Sequence, residues 1–184
     1  MSFFAPFDAA PSLREPALDV VLRRVGEGDV EALVEIEGQV RGTEAQSLRD
    51  GFSRKLSKGN SAIFVAEYAS ILGYSEVAWL SDDGGQAPEG YYLVGCTVPS
   101  KWRRRGIGRL LTQIRLEWIA ERSPKALYFA NAQNLASLAM HQEFGFTEVA
   151  RGPRFQRTEF TGGEGILLQT PLPNPNFLPS YPTE

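Results

Sequence analysis

Val98-Pro99-Ser100-Lys101-Trp102-Arg103-Arg104-Arg105-Gly106-Ile107-Gly108-Arg109-Leu110-Leu111 joins two apolar runs of different character. Before it, Tyr91 to Val98 reads as a strand. After it, Leu110, Leu111, Ile114, Trp118 and Ile119 recur at helical spacing, predicting a helix from Ile107 to about Arg122 with a buried apolar stripe, ended before Pro124. Glycines where a strand gives way to a helix let the backbone aim its N–H groups at one point, and the helix dipole adds positive potential there. Each dipole contact contributes only about 0.3–1 kcal/mol when exposed, so several must converge on one anion. Arg103, Arg104, Arg105 and Arg109 add charge to the cradle, and a pyrophosphate suits it; a solvated loop is the plain alternative for the arginines.

A dinucleotide fingerprint requires a third glycine at the position held here by Leu111, so a nicotinamide or flavin site is a poor reading. Working outward, Val20 to Val25 reads as a strand, and Asp29 is placed to cap a helix bearing Val30, Leu33, Val34 and Ile36. A weaker helical stretch covers Glu44 to Leu56. Ser61 to Glu67, Leu72 to Leu80 and Tyr91 to Val98 form a strand meander, with Ser81-Asp82-Asp83-Gly84-Gly85 in the last connection. Beyond the central helix, Ala126 to Ala130 is a strand and Asn134 to Phe144 a helix with Gly145 as its left-handed end cap. Strands at Phe146 to Ala150 and Ile166 to Gln169 complete an α+β or mixed α/β layer pattern.

The 184 residues, 42% of them hydrophobic, suffice for one globular domain at 18–170 between an N-terminal arm at 1–17 and a Pro-rich C-terminal arm at 171–184. Phe3, Phe4, Phe7, Phe177, Leu178 and Tyr181 could pack the arms on the domain or on a second subunit. A formal charge of -3 gives no general attraction for nucleic acid. Cys96, the single cysteine, forms no internal disulfide, and the interrupted N-terminus lacks a signal-peptide pattern, so a cytoplasmic setting is expected. No apolar run is long enough to cross a membrane.

With those residues in view, Val98 through Gly108 resembles the Arg/Gln-x-x-Gly-x-Gly/Ala signature of the GNAT superfamily of N-acetyltransferases, with Arg103, Gly106 and Gly108 in its defining positions. Asn134 through Phe146 resembles the family's Asn-then-Gly-Phe helix and strand, and the likeness covers roughly Val20 to Gln169. Pro99 departs from the pattern, following Val98 directly where many relatives have one residue between. The resemblance implies a mixed, mostly antiparallel sheet of about six to seven strands flanked by about four helices, with splayed central strands holding coenzyme A. It implies acetyl-CoA as co-substrate and no metal. Its contacts would come from Cys96, Thr97, Val98, Arg103, Arg104, Arg105, Gly106, Ile107, Gly108, Arg109, Asn134 and Ser137. Backbone groups of Cys96 and Val98 would pair with the pantetheine arm as with an added strand.

Acyl transfer to an amine needs a neutral amine, a polarised carbonyl and a proton for the departing thiolate. A lysine-like amine is only about one part in 10³ neutral at pH 7, roughly 4–5 kcal/mol that deprotonation and positioning must supply. The glutamate that many relatives place on the fourth strand falls at Tyr92 here, so Glu76 on the preceding strand is the substitute; a surface role is the plain alternative for Glu76 and for Glu67. The family's proton-donating tyrosine position holds His141, the sole histidine, on one helix face with Asn134 and Ser137. A solvent-facing role is its alternative. Cys96 could serve as a nucleophile in a two-step mechanism, but a lone cysteine in an apolar strand is more often a small buried residue.

Asp82, Asp83, Glu89, Glu31, Glu35, Glu37 and Glu44 would favour a cationic acceptor, and solvated faces explain them equally well. The resulting expectation is an N-acetyltransferase acting on a primary amine of a small molecule, peptide or protein by direct attack in a ternary complex. A non-catalytic acyl-CoA sensor or scaffold is the alternative. Homodimers are common among relatives, and the aromatic-bearing arms could serve such an interface.

Overall fold

The computed structural model describes residues 19–41 and 44–173. It contains strands β1 (Val21–Arg24), β2 (Ser61–Tyr68), β3 (Ser70–Leu80), β4 (Gly90–Thr97), β5 (Lys125–Asn131), β6 (Thr147–Gly152), β7 (Arg154–Phe155), β8 (Thr158–Glu159) and β9 (Gly165–Pro171). The helices are α1 (Val30–Arg41), α2 (Ala45–Leu56), α3 (Ile107–Ala120) and α4 (Leu135–Glu143). A seven-stranded sheet runs in the order β1-β2-β3-β4-β5-β9-β6, and β7 with β8 makes a separate hairpin. β4 and β5 are parallel, which requires a crossover connection, and α3 supplies it; the β1–β2, β2–β3, β5–β9 and β6–β9 pairs are antiparallel. This is the mixed, mostly antiparallel sheet with four helices that the resemblance implies.

Among the described residues the chain forms two compact units, with β3, β4 and α3 each continuing from one into the other. The first comprises 19–78 and 94–115. Its core joins Val30, Leu33, Val34 and Ile36 of α1 to Phe52 of α2 and to Ile63, Val65 and Tyr74 of the sheet. Those α1 positions lie on one helical face. Ser61 to Ala66 of β2 are buried without alternation, as in a strand covered on both faces. The second unit comprises 79–93 and 116–173, with a core of Ala87, Tyr92, Leu127, Phe155 and Leu167.

Several expectations change. Asp29 ends a short 3-10 turn instead of standing outside the helix; its carboxylate accepts the Gly26 N–H at 2.8 Å and a bidentate Arg23 guanidinium. The buried stripe of α3 is Ile107, Leu111, Thr112, Arg115, Leu116 and Ile119, while Leu110, Ile114 and Trp118 are half-buried. A hydrophobic-period reading could not include an arginine, and that shifted the face. The β7–β8 hairpin is too short to carry a periodic signal. Pro171 belongs to β9, pairing with Lys125, and the Leu172 N–H donates to the Pro124 carbonyl at 2.7 Å, so the C-terminal arm starts later than expected. The rest of that arm and the N-terminal arm, with Phe3, Phe4, Phe7, Phe177, Leu178 and Tyr181, lie outside the described residues.

Candidate active site

In the first unit, β4 ends at Thr97 and a 3-10 turn over Ser100–Trp102 follows, closed by Trp102 N–H to Pro99 O at 2.9 Å. Arg104 then adopts φ 66° and Gly106 φ 81°, two left-handed residues on either side of Arg105. Such excursions turn successive N–H groups toward one side, the geometry of an anion nest. Glycine is favoured at Gly106 by this φ, and a Cβ there would meet nothing within 4 Å, so the backbone borders open space. Ile107, 2% exposed, anchors the first turn of α3 in the core, and Leu110 N–H donates to Gly106 O at 3.1 Å as the helix starts. Such a turn at the head of a helix could hold an anion. The arginines divide: Arg103 Nε donates to Val98 O at 2.9 Å, tying the turn to the end of β4, while the Arg105 guanidinium lies 5.2 Å from the Trp102 ring centroid. Arg103 therefore works on the protein's own backbone, which the sequence does not disclose.

β4 is interior in strand order, yet Val94 and Cys96 are exposed. Its register with β5 runs over Tyr92↔Leu127 and Leu93↔Tyr128, and Val94 to Thr97 continue the strand beyond those pairs. Behind this stretch Arg115, 1% exposed, donates through Nη1 to Gly95 O at 3.1 Å and through Nε to Leu111 O at 3.1 Å. Its Nη2 meets Thr112 Oγ1 at 3.0 Å. A buried guanidinium needs such partners, and here they fasten α3 to the β4 backbone. Gly73 permits the close approach of β3, because a Cβ there would fall 2.9 Å from Thr97 O. The exposed Cys96 corrects the expectation of a small buried residue. Burial of its surroundings nonetheless pushes the thiol pKa up, with Arg115 opposing.

Carboxylates gather on the α1–α2 face of this unit. Glu37, 6% exposed, receives the Tyr74 hydroxyl at 2.6 Å and the Thr97 hydroxyl at 3.2 Å. Desolvation and the Glu37 carboxylate raise the Tyr74 pKa, which keeps its proton on the phenol. Glu76 is buried, contrary to its surface alternative, and Lys55 Nζ from α2 donates to Glu76 Oε2 at 2.6 Å. The same Nζ stands 5.5 Å from the Phe52 ring centroid. A Cβ on Gly95 would lie 3.7 Å from Glu76 Cδ, an ordinary contact distance, which places the carboxylate against β4.

The helix-and-strand motif lies in the second unit. The Asn134 side chain caps α4, accepting the Ser137 N–H at 3.4 Å. Ser137 Oγ is 2.7 Å from Tyr128 Oη, and His141 Nδ1 is 2.8 Å from Ser137 O. A carbonyl only accepts, so Nδ1 carries a proton. The His141 ring is 2% exposed and stacks on Tyr128 at 3.8 Å between centroids, which removes its solvent-facing alternative.

Among the predicted site residues, Glu76, Cys96, Thr97, Val98 and the segment 103–109, which contains Gly108 and Arg109, belong to the first unit; Asn134, Ser137 and His141 belong to the second. Sequence reading missed Lys55, Tyr74, Arg115 and Tyr128, and offered Glu37 only as a charge favouring a cationic acceptor or as part of a solvated face. Their partners lie up to 60 residues away, as in Thr97 with Glu37, so no local pattern marks them. Of the other acidic groups, Glu31 pairs with Arg49 of α2, Glu35 accepts from Gln39, and Asp82 and Asp83 accept the N–H groups of Gly84 and Gly85. Glu67 pairs with Arg23. Among the described residues no group of three or more His, Cys, Asp or Glu could hold a metal ion.

A sequence profile of the acetyltransferase (GNAT) family matches residues 30–146, more than half of the chain, and the chain belongs to that family. No curated protein sequence matches it. Among solved structures it is similar to a ribosomal-protein-alanine N-acetyltransferase from Brucella melitensis, with TM-score 0.66 and 23% identity over 83% of this chain and 99% of that one. It is also similar to yncA from Salmonella typhimurium, solved with its cofactor acetyl-CoA, with TM-score 0.64 and 19% identity over 83% and 94% of the two chains. The spermidine/spermine N-acetyltransferase SpeG from Vibrio cholerae gives TM-score 0.63 and 14% identity over 83% and 93%. At these identities the likeness concerns the fold.

Proposed function

We propose that this protein transfers an acetyl group from acetyl-CoA to a primary amine of a small molecule, peptide or protein by direct attack. The observation that supports this reading most is the left-handed geometry at Arg104 and Gly106, open over Gly106 and leading into α3. The backbone from Arg104 to Arg109 would hold the pyrophosphate, with Arg104, Arg105 and Arg109 contributing positive potential. Backbone groups at Cys96 and Val98 on the exposed stretch of β4 would align the pantetheine arm. Bound there, acetyl-CoA supplies an activated thioester carbonyl.

Glu76 is assigned the proton of the acceptor ammonium, and its carboxylate already receives one ammonium, that of Lys55. His141 is assigned the proton for the leaving thiolate on its place in the family motif, and it donates in its imidazolium form. Asn134 and Ser137 are assigned to the cofactor on the same motif. A cationic acceptor suits Glu76 and Glu37, and the neighbours named for spermidine/spermine and ribosomal-protein alanine are proteins with amine acceptors. A reducing cytoplasm is the setting we assign on the lone Cys96; among the described residues no helix is long and apolar enough to cross a membrane.

The Lys55–Glu76 pair favours one other reading, an acyl-CoA-binding sensor whose base is occupied. Thiol release from acetyl-CoA over a diverse amine panel separates the two. Turnover with any amine well above the amine-free rate supports the enzyme; calorimetric binding of coenzyme A without turnover supports the sensor.

A further inference from the structure

Lys55 and Glu76 come from different elements, α2 and β3, and meet in a defined place. The Glu76 side chain is 12% exposed and the Lys55 side chain 45%, so an accessible stem delivers its ammonium to a shielded carboxylate. The Phe52 ring flanks the ammonium at 5.5 Å. The carboxylate packs beside Gly95 of β4, where a Cβ would come within 3.7 Å of Glu76 Cδ. The next residue, Cys96, sits on the exposed stretch of β4. A carboxylate, an aromatic face and a neighbouring exposed strand are what a primary ammonium awaiting acylation requires. Lys55 Nζ is such an ammonium.

We propose that Lys55 is itself an acyl acceptor of this site, acetylated at Nζ by transfer within one molecule when no external amine is present. The inference rests on the acetyltransferase reading and on Glu76 as its base. Glu76 takes one proton from the Lys55 ammonium, and the freed nitrogen lone pair attacks the thioester carbonyl carbon. The C–N bond forms, the C–S bond breaks, and the thiolate leaves to be protonated. Lys55 ammonium and acetyl-CoA thus become N-acetyl-Lys55, coenzyme A thiol and one proton. The product amide carries no charge, so Lys55 no longer holds Glu76, and the carboxylate is released to an external ammonium.

The chain has three other lysines, Lys58, Lys101 and Lys125, which serve as internal controls. The full protein is incubated with acetyl-CoA without an added amine and followed by intact mass and peptide mapping. Lys55 should be acetylated at least about 10-fold faster than the other three, with a first-order rate constant independent of protein concentration. Glu76→Gln, checked by thermal melting, should bring Lys55 to the rate of the others. Lys55→Arg should abolish the fast acetylation. A readout free of acyl-CoA is trace labelling with acetic anhydride: the ion pair should make Lys55 slower than Lys58, and Glu76→Gln should equalise them. Equal acetyl-CoA rates at all four lysines, a Lys55 rate constant proportional to protein concentration, or anhydride labelling of Lys55 as fast as Lys58 would each overturn the proposal. If external amines are turned over while Lys55 stays unmodified, only this inference fails. If coenzyme A does not bind, the acetyltransferase reading fails with it.

Discussion

Cys96 lies at the solvent, and the protein around its thiol pushes its pKa upward while the Arg115 guanidinium pulls the other way. A thiol nucleophile working at neutral pH needs the opposite shift, toward the thiolate. Cys96→Ser should therefore keep most of the acetyl-transfer rate, and a loss of 100-fold or more in the thiol-release assay would revive a covalent mechanism. His141 is the contrasting residue, enclosed by Tyr128 and bonded to Ser137 O. His141→Ala should lower turnover by about 10²–10⁴-fold with coenzyme A affinity nearly unchanged, and tyrosine at this position should restore part of it. Near-normal turnover of the alanine variant across the pH range would remove the acid role.

The strand-turn-helix element depends on two kinds of support. At Gly106, φ 81° is strained for any residue with a Cβ, so Gly106→Ala should cost about 1–2 kcal/mol in denaturant unfolding, although no atom blocks the added methyl. Gly108→Glu would put a carboxylate where the pyrophosphate is assigned; unchanged coenzyme A affinity by calorimetry would place that anion elsewhere. Arg115 supports the element from behind. Its replacement by leucine removes the donor to the Gly95 carbonyl and one of two partners of the Thr112 hydroxyl, which keeps its bond to the Gly108 carbonyl, and should lower stability measurably more than a surface arginine change such as Arg154→Leu.

At the scale of the whole molecule, charge sets two expectations. The Arg23 hydrogen bonds hold the Asp29 carboxyl below the usual carboxylate range. A depressed folded-state pKa contributes stability that is present above the unfolded value and lost as pH falls through the folded one. Stability should thus fall as pH drops below about 4, and the decline should be shallower for Asp29→Asn in pH-dependent urea unfolding. If the buried carboxylates Glu37 and Glu76, the second paired with Lys55, meet the acceptor, the Michaelis constant of a cationic acceptor should rise with salt while that of a neutral isostere stays level. A flat salt response for the cation would exclude steering by these carboxylates.

The stretch from Tyr91 to Leu111 was enough to place a strand, a glycine-dependent turn and a helix, because glycine permissiveness and helical period are local properties of the chain. The same holds for the helix that follows Asn134 and for Gly145 at the end of α4, with φ 73°. Tertiary structure alone decided what the side chains do. It turned Arg103 back onto Val98, sank Arg115 behind Gly95, brought Glu37 to Tyr74 and Thr97, set Lys55 on Glu76, and opened Cys96 to solvent. Each of these depends on how distant segments pack and on which charges they leave to be matched. A sequence states the charges; their distances exist only once the chain has folded.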